Sequence, residues 1–147
     1  VTLSDLKEYV KAAGNVPFVA KGVLSVQDAL KCKEAGCAAI FVSHHHGRIP
    51  FGVAPVMVLP KIKAALERSG IAIFVDCGID TGYDAYKALA LGADAVDVGR
   101  GILKPLLQQG AEGVEEKVQK MNEQLSELMM YTCVKDIRSF DASVLYI

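Results

Sequence analysis

The chain has 147 residues, a length typical of a single domain. Hydrophobic residues make up 52% of it and charged residues 22%, a balance that predicts a packed core and excludes an intrinsically disordered chain. With 16 basic and 17 acidic side chains the net charge is -1, so charge gives no basis for binding nucleic acid or a membrane surface.

Four short apolar segments alternate with helical patterns along the chain. The predicted strands cover residues 16–20, 38–42, 71–75 and 93–98, and the predicted helices between them cover residues 25–35, 54–69 and 82–91. Gly36, Gly70 and Gly92 follow these helices, as helix-ending glycines do, and each leads into the next strand. A repeated strand–helix unit of this kind predicts an α/β fold with a parallel sheet.

Two further helices are predicted outside these units. One covers residues 2–13 and leads into the first strand. The other is a long amphipathic helix over residues 112–130, in which Val114, Val118, Met121, Leu125 and Leu128 recur at steps of four and three. This apolar stripe predicts packing against one side of the sheet, with docking to another subunit as the alternative. Since no linker interrupts the chain, we expect residues 1–147 to form one domain.

The cysteines and the N-terminal residues exclude other kinds of protein. The four cysteines, at positions 32, 37, 77 and 133, have no partners at zinc-finger spacing, so no metal site is predicted. We expect them to be reduced thiols of a cytoplasmic protein. No apolar run reaches the roughly 18 residues of a membrane span, and the acidic start VTLSDLKEYV predicts no signal peptide.

Polar and glycine residues cluster where each predicted strand ends. They are Lys21-Gly22, residues 43–48 (SHHHGR), residues 76–82 (DCGIDTG) and Gly99-Arg100-Gly101. Because the carboxyl ends of parallel strands meet at one edge of a sheet, we expect these four groups to converge on one site.

Each group suggests a chemical role. The alternative in each case is that the residue is an ordinary surface residue. Lys21 is a point charge for a phosphate or an anionic cofactor ring, and the fork of Arg48 suits a carboxylate. Three consecutive histidines cannot all point one way on a strand or tight loop, where alternate ones share a face. One of them as a general base is therefore a better prediction than a metal site. The glycines at 78, 82, 99 and 101, the helix beginning near Gly82 and the charge of Arg100 predict a phosphate-binding edge.

The blocks PFVAKGVLSVQDA, AIFVSHHHGR, IFVDCGIDTGYDAYKALALGADAVDVGR and the closing GAEGV-to-ELMMYTCV segment resemble one enzyme family. This is the FMN-dependent α-hydroxy acid oxidase and dehydrogenase family of glycolate oxidase and lactate oxidase. The resemblance covers nearly the whole chain, with K-G, V-S-x-H-x-x-R, D-x-G and G-R in the family's order. It implies four βα units from the C-terminal half of a (β/α)8 barrel, FMN as cofactor, and oxidation of a 2-hydroxy acid to a 2-oxo acid.

The same resemblance implies a role for individual residues. Lys21 would lie beside the N1–O2 edge of the flavin, Ser43 would contact the flavin, and His45 would be the base that takes a substrate proton. Arg48 would hold the substrate carboxylate. The ribityl and phosphate loop would be formed by Asp76, Cys77, Gly78, Ile79 and Asp80, and the second phosphate loop by Gly99 and Arg100.

The chain departs from the family pattern at several of these positions. His44 and His46 stand where the family has Asn and Gly around the base, Cys77 replaces a glycine, and Asp80 replaces the usual phosphate-loop Arg. A complete barrel takes about 250 residues, so we interpret the chain as a half-barrel. It would pair with a missing N-terminal half or with a second copy in a homo-oligomer, and would be inactive alone.

Two alternatives to the hydroxy acid enzyme remain. One is a non-catalytic half-barrel that binds a phosphate-bearing ligand or flavin. The other is a related flavin barrel such as type 2 isopentenyl diphosphate isomerase or a glutamate synthase relative. The spacing of His45 and Arg48 favours hydroxy acids, because oxidation of such a substrate needs a base and a carboxylate clamp.

Overall fold

A computed structural model describes residues 1–146 of the chain. Its elements in chain order are α1 (Leu3–Ala13), β1 (Val19–Val23), α2 (Val26–Ala35), β2 (Ala39–Val42), α3 (Pro55–Ala65), β3 (Ala72–Val75), α4 (Gly82–Ala90), β4 (Ala95–Val96) and α5 (Leu103–Tyr131). Two short 3-10 turns cover Arg100–Ile102 and Ala142–Val144. Strands and helices therefore alternate along the chain, as the sequence pattern predicts.

The four strands form one parallel sheet in the order β1-β2-β3-β4. One row of the register aligns Lys21, Phe41, Phe74 and Ala95 across all four strands. Each helix returns the chain to the start of the neighbouring strand, so all four strands end at the same edge. The prediction of an α/β fold with a parallel sheet is confirmed.

The two faces of the sheet differ in how well they are covered. On one face Ile40, Val42, Ile73 and Val75 are fully or almost fully buried, and the core continues into the helices through residues such as Leu59. On the other face the rings of Phe41 and Phe74 pack edge to face at 5.2 Å and are only half-buried, while Val19 and Ala95 are exposed. Side chains alternate across a strand, so each strand contributes to both environments.

Two predicted strands have different bounds in the structure. β1 begins at Val19 rather than at residue 16, because Pro17 lacks the N–H that a ladder requires. Lys21 therefore lies within β1, just before a shift of register at Gly22, whose φ of 99° is left-handed. β4 is confined to Ala95–Val96 at the free edge of the sheet, which shortens the predicted strand at residues 93–98.

The helix ends also show local causes. α2 stops at Gly36 in the left-handed conformation, as predicted. α3 stops at Ala65, short of the predicted residue 69, because the chain turns after Leu66 and Arg68 takes a φ of 58°. α4 begins with a capping box in which Thr81 and Asp84 bond each other's backbone N–H groups.

α5 is longer than the predicted helix at residues 112–130. It begins at Leu103 and contains a break at Gly110, whose φ of 64° and ψ of −143° are not helical. After that break it packs along α4, and Met121 of the predicted apolar stripe is buried in the core. Val118 of the same stripe is 44% exposed, so the stripe is only partly covered.

Within residues 1–146, none of the helices combines the length and the hydropathy that crossing a membrane requires.

Gly82 is the point of closest approach between α4 and α5. A β-carbon at this position would stand 2.0 Å from the carbonyl oxygen of Met121 and 2.7 Å from the amide nitrogen of Leu125. We expect Gly82→Ala to lower the free energy of unfolding by about 1–3 kcal/mol, the usual cost of overpacking, because backbone cannot yield as a side chain can.

Urea denaturation of the variant measures this cost. Gly99→Ala is the matched control, because Gly99 has a φ of −81° and a β-carbon there meets nothing within 4 Å. Equal unfolding midpoints for the Gly82 variant and the wild type would show that the two helices do not pack as described.

Candidate functional site

An open cleft of about 220 Å³ lies at the carboxyl edge of the sheet. Every predicted site residue lines it except Ser43 and Arg48. The lining residues are Lys21, His45, His46, Asp76, Cys77, Gly78, Ile79, Asp80, Asp97, Gly99, Arg100 and Gly101. Ligand pockets usually hold about 300–1,000 Å³, so this cleft forms only part of the wall that a cofactor-sized ligand needs.

The ion pair between Lys21 and Asp76 crosses one end of this cleft. The Lys21 ammonium lies 4.3 Å from the centre of the Phe41 ring, on the strand between β1 and β3. The Asp76 side chain is 13% exposed and that of Lys21 is 43% exposed. A cation over an aromatic face is attracted to it, so both contacts hold the ammonium at this position.

Asp76 is kept ionised by its surroundings. Burial by itself would raise the pKa of this carboxyl, but hydrogen bonds from the side chains of Cys77, Lys21 and Ser43, with the charge of Lys21, outweigh burial and lower the pKa below its ordinary value. The carboxylate therefore stays negative at neutral pH.

Cys77 connects the loops that follow β2 and β3. Its thiol donates to Asp76 Oδ1 at 2.8 Å, and its sulfur accepts the backbone N–H of His46 at 3.1 Å. The same sulfur lies 3.6 Å from the hydroxyl of Ser43, which is fully buried beneath the cleft and accepts the N–H of His45. Ser43 thus supports the histidine turn from below rather than lining the cleft.

The histidine turn has a left-handed backbone. His45 and His46 have φ values of 54° and 55°, and Gly47 has a φ of 84°. His44 turns away from the cleft, and its Nδ1 accepts the N–H of Gly47 at 2.9 Å. The expectation that alternate histidines share a face is wrong here, because a left-handed turn does not alternate as a strand does, and adjacent His45 and His46 both line the cleft.

Arg48 lies outside the cleft. Its side chain is exposed and stands on the turn three residues beyond His45. The structure thus brings His45 to the site and leaves the predicted carboxylate clamp on the surface. No group of three or more His, Cys, Asp or Glu side chains among residues 1–146 is placed to hold a metal ion.

The predicted phosphate edge is built differently from the expectation. The N–H groups of Asp80 and Thr81, just before α4, donate to Asp84 Oδ2 at 3.3 Å and 2.9 Å. The N–H of Gly82 donates to Gln124 Oε1 at 2.9 Å. These three N–H groups are therefore bonded to the protein's own side chains and are not free to bind an anion. Arg100 and the loop at residues 99–101 remain as candidate contacts for an anion.

Asp97 is a lining residue that the sequence interpretation did not assign to the site. It follows β4 and is two residues beyond Ala95, which belongs to the same row as Lys21, Phe41 and Phe74. That alternation could have identified it, since residues two apart on a strand share a face.

The ion pair predicts a specific pH dependence of stability. Because the pKa of Asp76 is lower in the folded protein than its ordinary value of 3.8, the carboxylate stabilises the fold above that value. This stabilisation is lost as pH falls through the lowered, folded-state pKa. We expect Asp76→Asn to show a smaller loss of stability than the wild type between pH 6 and pH 2, measured by urea unfolding at a series of pH values.

Glu67→Gln, at an exposed carboxylate beyond the far end of α3, is the charge-matched control. Identical pH profiles for the wild type and Asp76→Asn would contradict the contribution assigned to this pair.

The family profile of FMN-dependent dehydrogenases matches residues 1–147. The chain is 38% identical over 136 residues to an L-lactate oxidase of Lactobacillus jensenii, covering 90% of this chain and 33% of that protein. It is 35% identical over 145 residues to 2-hydroxyacid oxidase 1 of Homo sapiens, covering 98% of this chain and 39% of that protein.

The fold is also similar to a solved structure of the same kind. A lactate oxidase from Pediococcus acidilactici superposes with a TM-score of 0.88 and 34% identity, covering 95% of this chain and 38% of that one. The chain thus spans between a third and two fifths of the length of these relatives. Since the profile matches from the first residue to the last, the chain belongs to the FMN-dependent dehydrogenase family, a family of flavin oxidoreductases.

Proposed function

We propose that this chain provides the FMN-binding wall and the base of an enzyme that oxidises a small 2-hydroxy acid to a 2-oxo acid. The observation that carries the proposal is the cleft at the carboxyl edge, with the Lys21 ammonium clamped at one end and His45 on its rim. Lactate and the substrates that the name hydroxyacid oxidase describes share a 2-hydroxy carboxylic acid group, which supports this class of substrate.

The residues of the cleft fit the ring and ribityl chain of FMN. Lys21 presents a fixed positive charge where an electron-accepting ring needs one, and the half-buried Phe41 and Phe74 offer an apolar surface beside it. Cys77, Gly78 and Ile79 form the neighbouring wall, and Gly99 with Arg100 would face the phosphate. FMN, when bound, supplies the acceptor for the two electrons of the alcohol.

The chain's own residues then account for proton transfer and orientation. His45 lies on the rim of the cleft, where its imidazole would take up a proton from the substrate. Ser43 and Cys77 hold the backbone N–H groups of His45 and His46, so the turn keeps the imidazole at the cleft. Arg48 remains the proposed partner of the substrate carboxylate, from an exposed position on the same turn.

We further propose that the chain acts as one half-barrel domain whose inner face is covered by a second half. Val19 and Ala95 are exposed on that face, and Phe41 and Phe74 are half-buried, so it has apolar surface to bury. The covering part would be the remaining N-terminal half of a (β/α)8 barrel, or a second copy in a homo-oligomer. The isolated chain would then bind its ligand but not turn over. A cytoplasmic location is a prediction that the free thiols support.

One observation favours a non-catalytic, flavin-binding half-barrel as the second candidate. Arg48, the residue that the resemblance assigns to the substrate carboxylate, does not line the cleft together with His45. Flavin binding alone would need only the part of the cleft around Lys21 and Asp76, where the flavin ring would lie and which we call the ring end.

Flavin binding tests the first part of the proposal. We expect added FMN to lose fluorescence on binding, and Lys21→Met to weaken binding at least tenfold because the ring loses the adjacent charge. The matched control is Lys63→Met, at an equally exposed lysine that pairs with Asp94 away from the cleft. Equal losses of FMN affinity in the Lys21 and Lys63 variants would show that Lys21 does not contact the flavin.

Anaerobic reduction of bound FMN by lactate or another 2-hydroxy acid tests the chemistry. The measurement uses FMN-loaded protein in which the N-terminal half of the barrel or a second copy covers the inner face of the sheet. In that protein His45→Asn should slow reduction about 10²–10⁴-fold, the usual contribution of a general base. His44→Asn is the control, since this side chain lies off the cleft. Undiminished reduction in the His45 variant would contradict its role. Flavin binding without reduction in the wild type would favour the non-catalytic candidate.

A further inference from the structure

The two ends of the cleft differ in charge. At the ring end the positive charge of Lys21 is matched by Asp76. At the other end Arg100 is the one cation among the lining residues, and two carboxylates, Asp80 and Asp97, lie with it. A phosphate monoester, which carries nearly two negative charges at neutral pH, would enter a site that is itself negative.

Three backbone N–H groups around the start of α4 already have protein partners. Anion sites at helix starts depend on N–H groups that have no protein partner. Around the start of α4, the N–H groups of Asp80 and Thr81 are bonded to Asp84 and that of Gly82 to Gln124, at distances between 2.9 and 3.3 Å. Asp84 is itself the anion at that helix end, so a phosphate there would have to displace a carboxylate.

Asp80 occupies the space between the two loops. Its Oδ1 lies 2.6 Å from the point where a β-carbon on Gly101 would stand, so the carboxylate rests against the second loop. Lys117 bonds the carbonyl oxygen of Asp80 at 2.6 Å rather than its carboxylate. Among residues 1–146, no hydrogen bond or ion pair neutralises this carboxylate, so its charge acts on whatever enters the cleft.

We propose that the cleft gains no affinity from the phosphate of FMN, and that the chain binds riboflavin at least as tightly as FMN. The inference rests on the flavin binding proposed above and adds that Asp80 determines which form of the flavin is favoured. Opposite unit charges at similar distances from an anion cancel each other, so one carboxylate is enough to offset Arg100.

Fluorescence titration of the 147-residue chain with riboflavin and with FMN tests the proposal. We expect the Kd for riboflavin to be equal to or lower than that for FMN. Raising the salt concentration should tighten FMN binding, because salt screens the repulsion, and should leave riboflavin binding unchanged. A phosphate site built for its ligand shows the opposite salt dependence.

Variants of Asp80 isolate the cause. Asp80→Asn should lower the ratio of the Kd for FMN to the Kd for riboflavin about tenfold, and Asp80→Arg should lower it more strongly, because only FMN carries the phosphate charge. Glu67→Gln removes the same charge far from the cleft and should change neither affinity.

The possible outcomes separate this inference from the proposed function. A wild-type Kd for FMN tenfold below that for riboflavin contradicts the inference alone, as does an Asp80→Asn variant with an unchanged ratio. Failure of both flavins to bind contradicts the inference and the proposed flavin site together.

Discussion

Lys21 reaches over the ring of Phe41 to Asp76, so a single ion pair joins the ends of two strands that are not neighbours in the sheet. The charges in the cleft are organised around this contact. Asp76 also accepts the thiol of Cys77, whose sulfur holds the histidine turn, so lysine, cysteine and histidine belong to one connected network. An ammonium that is both paired and stacked on an aromatic ring loses the freedom of an ordinary surface lysine. The flavin site proposed above depends on that preorganisation.

The other end of the cleft, around Asp80, Asp97 and Arg100, carries more negative than positive charge. Its helix start is closed by Asp84 and Gln124, and its remaining cation faces two carboxylates. In a chain of the FMN-dependent dehydrogenase family, the cleft thus has a paired lysine at one end and an excess of carboxylates at the other. This division follows from where carboxylates lie relative to backbone N–H groups, rather than from any change in the fold.

The uneven covering of the two faces of the sheet explains why the cleft is open. One face is buried under the helices, whereas the other leaves Phe41 and Phe74 half-covered. The site lies at the boundary of that open face, so whatever covers the sheet also completes the cleft. We therefore expect cofactor binding and burial of the open face to be coupled under the function proposed above.

The sequence by itself determined the order of strands and helices, the parallel sheet and the residues that converge at its carboxyl edge. These follow from local signals: the apolar segments at residues 38–42 and 71–75, the glycine stop at residue 36 and the capping residues of α4. Only the tertiary structure decided how the converging residues are used. It placed Arg48 on the surface, turned His45 and His46 to the same side through a left-handed backbone, and brought Gln124 from α5 to the N–H of Gly82. Such contacts join residues far apart in the chain, or depend on backbone angles that periodicity does not encode, so no local pattern predicts them.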